Sequence, residues 1–336
     1  MHEEIFRTLD EMADEMPGFA DRVMSGRSLR FVVVQLLCTD FGLDRPTATD
    51  LLNAWFAQRS RPEVSDTEPP VLEEPSALDA RLEALWAEFS EADADGNHTG
   101  AAEALTRIGV ELTEYGRHDD ALACYMAARE RTVGIGDERE SALIDMEVAI
   151  TTSTLGWRET ALESIRRAAR FFDQHGSIDE RARIAQNYGR LLARSGRRRE
   201  GLAKYEVARR LWRAVRNPHG EADIVHNIAD IQFGLGRLDL AEDGFFESRA
   251  MYESLESAQD IADADTALGA VFAEGGRYEE AIDRARAGLE TYLQLGLPLE
   301  EANARRVLSH ALDHAGDHAA ARDAMLSARG IYVDAG

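Results

Sequence analysis

The sequence predicts an all-α solenoid of antiparallel helical hairpins, preceded by a small N-terminal helical domain. Three observations carry that fold class. A glycine returns every forty residues, at Gly116, Gly156, Gly196, Gly236, Gly276 and Gly316. Columns of small residues keep phase with it: Gly109, Ala149, Gly189, Ala229, Gly269 and Ser309 stand seven before, and Ala102, Ala142, Ala182, Ala222, Ala262 and Ala302 fourteen before. No segment alternates apolar and polar residues with the period of two that a half-buried strand requires.

The elements follow in chain order. Residues 1–59 read as a small helical domain of unknown family, with helices expected near 2–15, 28–41 and 47–58. Its run Leu29, Phe31, Val32, Val33, Val34, Leu36 and Leu37 is apolar all round. A helix of that kind must be buried, in its own core or against a partner. Residues 60–76 hold four of the chain's eight prolines and no helical pattern, so they read as an acidic proline-rich linker. Residues 77–96 resume helical spacing through Leu82, Leu85, Trp86 and Phe89 and read as a half-repeat that caps the array.

Residues 97–336 then divide into six repeats: 97–136, 137–176, 177–216, 217–256, 257–296 and 297–336. Before each column glycine, apolar and small residues recur at helical spacing, as in Ala222, Val225, Ala229 and Phe233. After it they do so again, as in Ala241, Phe245, Ser248 and Tyr252. The glycine ends the first helix, where a left-handed conformation costs glycine least. Small residues mark where helices approach closely. Sixteen residues after the glycine stands an aromatic in five repeats of six: Phe172, Trp212, Tyr252, Tyr292 and Tyr332, with Thr132 in the first. That column is expected to fill the space between successive hairpins.

The order of small residue, glycine, alanine, aromatic and alanine, as in Leu268 to Leu289, resembles the tetratricopeptide repeat (TPR) signature. At forty residues the period resembles the long-repeat subclass found in scaffold adaptors and bacterial peptide-sensing regulators. The resemblance implies a right-handed superhelix and a concave groove lined by first-helix positions one, four, five, eight, eleven and twelve after the leading alanine. In the third repeat those positions are Arg183, Gln186, Asn187, Arg190, Ala193 and Arg194. In the fourth they are Asp223, His226, Asn227, Asp230, Phe233 and Gly234. The resemblance further implies that Asn187 and Asn227 hold the backbone of a bound peptide. The other repeats carry Arg107, Glu147, Ala267 and Val307 at that position.

Charge separates the repeats. The chain carries 62 acidic against 38 basic residues, a formal net charge of −24, which disfavours phosphate backbones and anionic lipid surfaces. Residues 177–216 break the trend with twelve bases against four acids, a net of +8. Arg183, Arg190 and Arg194 share one helix face at spacings of seven and four, and arginine suits forked hydrogen bonding to carboxylates. They read as a site for an acidic peptide or a C-terminal carboxylate. The competing reading pairs them with Glu147, Asp223 and Asp230 and leaves nothing to bind. Arg197, Arg198 and Arg199 read as a solvated loop. The linker acids Glu63, Asp66, Glu68, Glu73 and Glu74 are expected to compete for the groove in cis.

Other chemistry is sparse. No nucleophile elbow, phosphate loop, HExxH or dinucleotide fingerprint occurs, so neither an enzyme nor a cofactor is expected. Gly134-Ile135-Gly136 reads as a helix end. His310, His314 and His318, with Asp313 and Asp317, have partial metal-ligand spacing but read better as solvated or groove-lining histidines. RNA binding lacks interleaved aromatics. Two cysteines form no disulfide framework, and an acidic N-terminus and short apolar runs point to a cytoplasmic protein without a membrane span. Met325, Ile331 and Val333 near the C-terminal end, or the N-terminal domain, would serve a homodimer. The functional expectation is a protein-binding scaffold or adaptor. The alternative is a regulatory sensor that takes a small peptide or metabolite in the groove and relays it to the N-terminal helices.

Overall fold

The computed structural model describes residues 5–7, 9–10, 33, 37, 43, 45–59 and 77–334. Every secondary-structure element among them is helical. In chain order these are α1 (Arg45–Arg59), α2 (Ala77–Ala94), α3 (His98–Glu114), α4 (His118–Gly134), α5 (Glu138–Thr154), α6 (Arg158–His175) and α7 (Ile178–Arg194). They continue with α8 (Arg198–Ala214), α9 (Pro218–Gly234), α10 (Leu238–Ser254), α11 (Ala258–Glu274), α12 (Tyr278–Leu295), α13 (Pro298–His314) and α14 (His318–Asp334). The linker residues 60–76, and with them the proposed competition by its acids, lie outside the described residues. So do Leu29, Phe31, Val32, Val34 and Leu36.

The chain forms two compact units, Met1–Phe171 and Phe172–Gly336. In the first, α2, α3, α4 and α5 pack in succession. Ile5, Leu9, Val33, Leu37, Leu52 and Trp55 are buried in the same hydrophobic cluster as Trp86, Phe89, Leu105 and Tyr125. The apolar N-terminal stretch thus finds burial, at Val33 and Leu37, within a core it shares with the repeats. Trp55 Nε1 donates to Asp10 Oδ1 at 2.8 Å, which satisfies the one polar atom the indole carries inward.

In the second unit, α7 and α8, α9 and α10, α11 and α12, and α13 and α14 form four hairpins, each packed on the next. The first helices also form a row, with α9 beside both α7 and α11, and α11 beside α13. The column glycines do what their position demands: Gly196, Gly236, Gly276 and Gly316 have φ of 80°, 72°, 77° and 92°. At Gly236 the turn closes with Gly236 N–H donating to Phe233 O and Arg237 N–H to Gln232 O, so the last carbonyls of α9 are not left bare.

The small columns permit close approach for a specific reason. A Cβ on Gly189 would stand 2.7 Å from the Tyr205 ring, and one on Gly201 would stand 2.9 Å from the Gly189 carbonyl. The aromatic column is buried at Phe172, Trp212, Tyr252 and Tyr292 but open at Tyr332, which is 43% exposed near the last hairpin's end. Thr132, the exception, is buried and accepts a hydrogen bond from Ser141 Oγ at 2.8 Å. A hydroxyl pair stands there in place of a ring. One local expectation is corrected. Arg198 and Arg199 do not lie in a loop but open α8, and Arg197 at its N-cap forms a forked pair with Glu200 at 2.6 and 2.7 Å.

Candidate functional site

The arginine row stands on α7. Ser177 and Glu180 form a reciprocal capping box that fixes where the helix starts, and hence which face each arginine takes. Ala182, Ile184, Ala185, Gly189, Leu191 and Leu192 bury the opposite face. Arg183, Arg190 and Arg194 are all exposed. None of the three forms an ion pair among the described residues, and neither Asp223 nor Asp230 pairs with them. Asp223 instead accepts a hydrogen bond from the Tyr252 hydroxyl at 3.0 Å.

The neighbouring polar side chains divide into used and unused. Gln186 is half-buried and accepts from Trp212 Nε1 at 3.0 Å, so its carbonyl oxygen serves the packing of its own hairpin. Asn187 accepts from Arg190 Nη2 at 2.9 Å, which holds the Arg190 guanidinium on the exposed face. On α9, Asn217 caps the helix by accepting from Gly220 N–H at 2.9 Å, and Pro218 takes the first helical position. Asn227 is half-buried and makes no side-chain hydrogen bond among the described residues. Asp230 is exposed.

Beyond α9 the row of first helices encloses a cavity of about 290 Å³. Its wall includes His226, Asp230 and Phe233 from α9, Asp263 and Thr266 from α11, and Asn303 and Arg306 from α13. Phe245 and Tyr292 from the second helices close it from behind. Every first-helix residue in that wall occupies a position counted from the leading alanine in the way that placed Arg183 and Asn187. Continuing the count into the fifth and sixth repeats would have found Asp263, Thr266, Asn303 and Arg306.

The cavity's electrostatics follow from burial. Tyr292 Oη donates to Asp263 Oδ1 at 2.6 Å. Burial raises the Asp263 pKa from its ordinary value, against that hydrogen bond and the nearby His226. The His226 imidazole sits edge-on to Phe245 at a centroid distance of 4.9 Å. Burial depresses its pKa, opposed by Asp263, Asp230, Asp223 and Asp260, so the ring is neutral at pH 7. Its Nδ1 is buried and has no hydrogen-bond partner among the described residues.

The histidines near the C-terminal end do not gather as a ligand set. His314 stacks on Tyr278 at 5.2 Å, His310 meets His314 edge-on at 4.7 Å, and His318 Nδ1 lies 2.7 Å from Asp313 Oδ1. No group of three or more metal-ligating side chains occurs among the described residues. Met325 and Val333 are exposed, at 45% and 69%, and Ile331 is half-buried. No helix among the described residues is long and apolar enough to cross a membrane.

No protein-family model matches the chain, and no curated protein matches it significantly. Solved structures do. Aspartyl phosphate phosphatase F from Bacillus subtilis is similar at a TM-score of 0.58 and 11% identity, over 98% of this chain and 88% of that one. A Rap protein complexed with competence and sporulation factor is similar at 0.54 and 15% identity, over 94% and 96%. A signal transduction ATPase from Pyrococcus horikoshii with a tetratricopeptide repeat sensor is similar at 0.56 and 13% identity, over 77% of this chain and 44% of that one. At these identities the likeness is one of fold, and the fold is a TPR-like helical-hairpin solenoid.

Proposed function

We propose that the chain is a non-enzymatic protein-interaction module that captures a peptide along the first-helix face of its second unit. Arg183, Arg190 and Arg194 bind carboxylates of an acidic segment, and Asn187 and Asn227 orient its backbone. Gln186, His226 and Asp230 flank the track. The observation that carries this reading is the set of three exposed guanidinium groups on α7 without an ion pair among the described residues, in a chain with a large surplus of acids. Like charges gathered on one helix face are held against mutual repulsion, and an anionic ligand relieves it. A fold neighbour, the Rap protein complexed with competence and sporulation factor, supports the reading that such a scaffold can hold a bound partner.

Fluorescence anisotropy with a labelled, glutamate-rich decapeptide tests this. Wild type should bind it more weakly as salt is raised, and the triple variant R183E/R190E/R194E should lose at least tenfold in affinity. Equal binding by both proteins, or binding of the glutamine-substituted peptide as strong as that of the original, overturns the proposal.

The alternative, a sensor that relays binding to the N-terminal helices, is supported by the shared core of the first unit. There Leu52 and Trp55 of α1 are buried in one cluster with Leu105 and Tyr125. Hydrogen exchange separates the two readings: a sensor changes protection in residues 45–59 on peptide binding, and an adaptor leaves it as it was.

A further inference from the structure

The cavity bounded by α9, α11 and α13 has the opposite character to the arginine row. Its two carboxylates, Asp230 and Asp263, form no ion pair among the described residues, and the single hydrogen bond to Asp263 comes from the Tyr292 hydroxyl. Arg306 is on the wall but turns to Asn303, donating through Nη2 at 3.0 Å. A buried acceptor without a partner is costly, and His226 Nδ1 is one. Because burial keeps the ring neutral, one ring nitrogen is an acceptor, and with no other partner Nδ1 is free to take that role.

The back wall is aromatic and aliphatic, with Phe233, Phe245, Ala267, Ala270 and Val307 among the lining residues. At about 290 Å³ the cavity is at the small end of the range for ligand pockets, roughly 300 Å³ and upward. Those features fit one chemical class. A primary ammonium on an apolar stem brings three N–H donors, a positive charge that two carboxylates lack, and methylenes suited to the apolar wall. A carboxylate or phosphate would find one cation on the wall, Arg306, against the two carboxylates Asp230 and Asp263, and would leave His226 Nδ1 without a donor.

We propose that this cavity is a binding site for a primary ammonium group, from either a lysine side chain or a peptide N-terminus, received by Asp230, Asp263 and His226 Nδ1. The site deepens the peptide reading given above, and rests on it only for the source of the ammonium. Taken together with the arginine row, it makes the first-helix face polar along its length. Carboxylates bind over α7, and an ammonium enters between α9 and α13. Such a face fixes the direction in which a peptide lies, because reversal sets like charges against each other at both ends.

Saturation-transfer NMR on the full chain tests the site with three small probes. N-acetyl-lysine methylamide carries only a side-chain ammonium, phenylalanine methylamide only an α-ammonium, and N-acetyl-norleucine methylamide neither. At least one ammonium probe should bind tenfold or more tightly than the norleucine probe, and the one that does identifies the source. D263N and D230N should each remove most of that preference, while R183E/R190E/R194E should leave it intact. Asp230 is exposed, so D230N keeps the test valid if D263N fails to fold. Equal binding of all three probes, or a preference that D230N retains in full, overturns the site. Failure here with the glutamate-rich peptide still bound removes this inference alone.

Discussion

Tyr292 donates its hydroxyl proton to Asp263 Oδ1 at 2.6 Å, joining the end of a second helix to the start of the first helix in the same hairpin. Tyr252 and Asp223 make the same bond one repeat earlier at 3.0 Å, and Trp212 donates to Gln186 at 3.0 Å in the repeat before that. The aromatic column therefore packs with its ring and latches with its polar tip. Burial and the neighbouring carboxylate push both tyrosine hydroxyls up, so they remain protonated donors across the working pH range. Y292F should cost about 1 kcal/mol of stability by urea titration, the net worth of such a bond. An unchanged midpoint would show the latch to be inert.

A second latch holds neighbouring hairpins together. Asp265 is buried and accepts from Arg249 Nε at 2.8 Å and Arg284 Nη1 at 2.7 Å. Asp145 stands at the same place in its repeat and pairs with Arg129 and Arg167, each at 2.7 Å. Removing one partner of a fully buried pair costs roughly 3–5 kcal/mol. The arginines here keep 23% and 32% of their surface, so D265A should cost less, about 2 kcal/mol. Denaturant unfolding measures it, and a loss below about 0.5 kcal/mol would assign the pair to the screened surface class.

The turns between repeats show where the glycine pattern lapses. Gly136 and Gly296 have φ of 75° and 68°, but the equivalent Arg216 and Glu256 take φ of 56° without glycine's freedom. A side chain in the left-handed region costs roughly 1–2 kcal/mol, partly offset by the entropy that glycine loses on folding. R216G and E256G should each stabilise the chain by about 0.5 kcal/mol, seen as a small rise in thermal midpoint. G189A should do the reverse, because its Cβ would meet the buried Tyr205 ring at 2.7 Å. Overpacking of this kind costs about 1–3 kcal/mol.

His226 makes stability depend on pH with a definite sign. Burial lowers its pKa in the folded state, so between the folded and ordinary values the unfolded chain binds the extra proton. Stability due to this group is full above the ordinary histidine value of about 6.5 and falls as pH drops through it. Asp223, Asp230, Asp260 and Asp263 face the ring and limit the fall. Between pH 7.5 and 5.5 wild type should lose up to about 1.4 kcal/mol more than H226Q. Parallel pH profiles of the two proteins would show that the ring titrates alike folded and unfolded.

Much of this fold is legible in the spacing alone, because backbone turns and close contacts tolerate few residue types. Gly236 must take a left-handed φ, and Gly189 must leave room for a ring, so the columns repeat. The latches are less legible. Asp265 and Asp145 look like any helix-surface acids until the neighbouring hairpin brings arginines to them. Arg216 shows the limit from the other side, since a conformation that favours glycine is held there without one. The arginine row was visible as charge in one repeat, but Gln186's engagement with Trp212 was not, because indole donors find acceptors in three dimensions. The cavity was within reach: the count that yields His226 and Asp230 continues to Asp263 and Asn303. Its character depends on His226 Nδ1 being buried without a donor, which no spacing conveys.

The central claim is that the first-helix face of the second unit is where a ligand lies. A glutamate-rich decapeptide bearing a photoreactive benzophenone near its centre, cross-linked to the protein and mapped by mass spectrometry, tests it most directly. The cross-links should fall within residues 183–194 of α7 and 223–234 of α9, and should fade in R183E/R190E/R194E. Cross-links confined to the second helices α8 and α10, or unchanged by charge reversal, would contradict it.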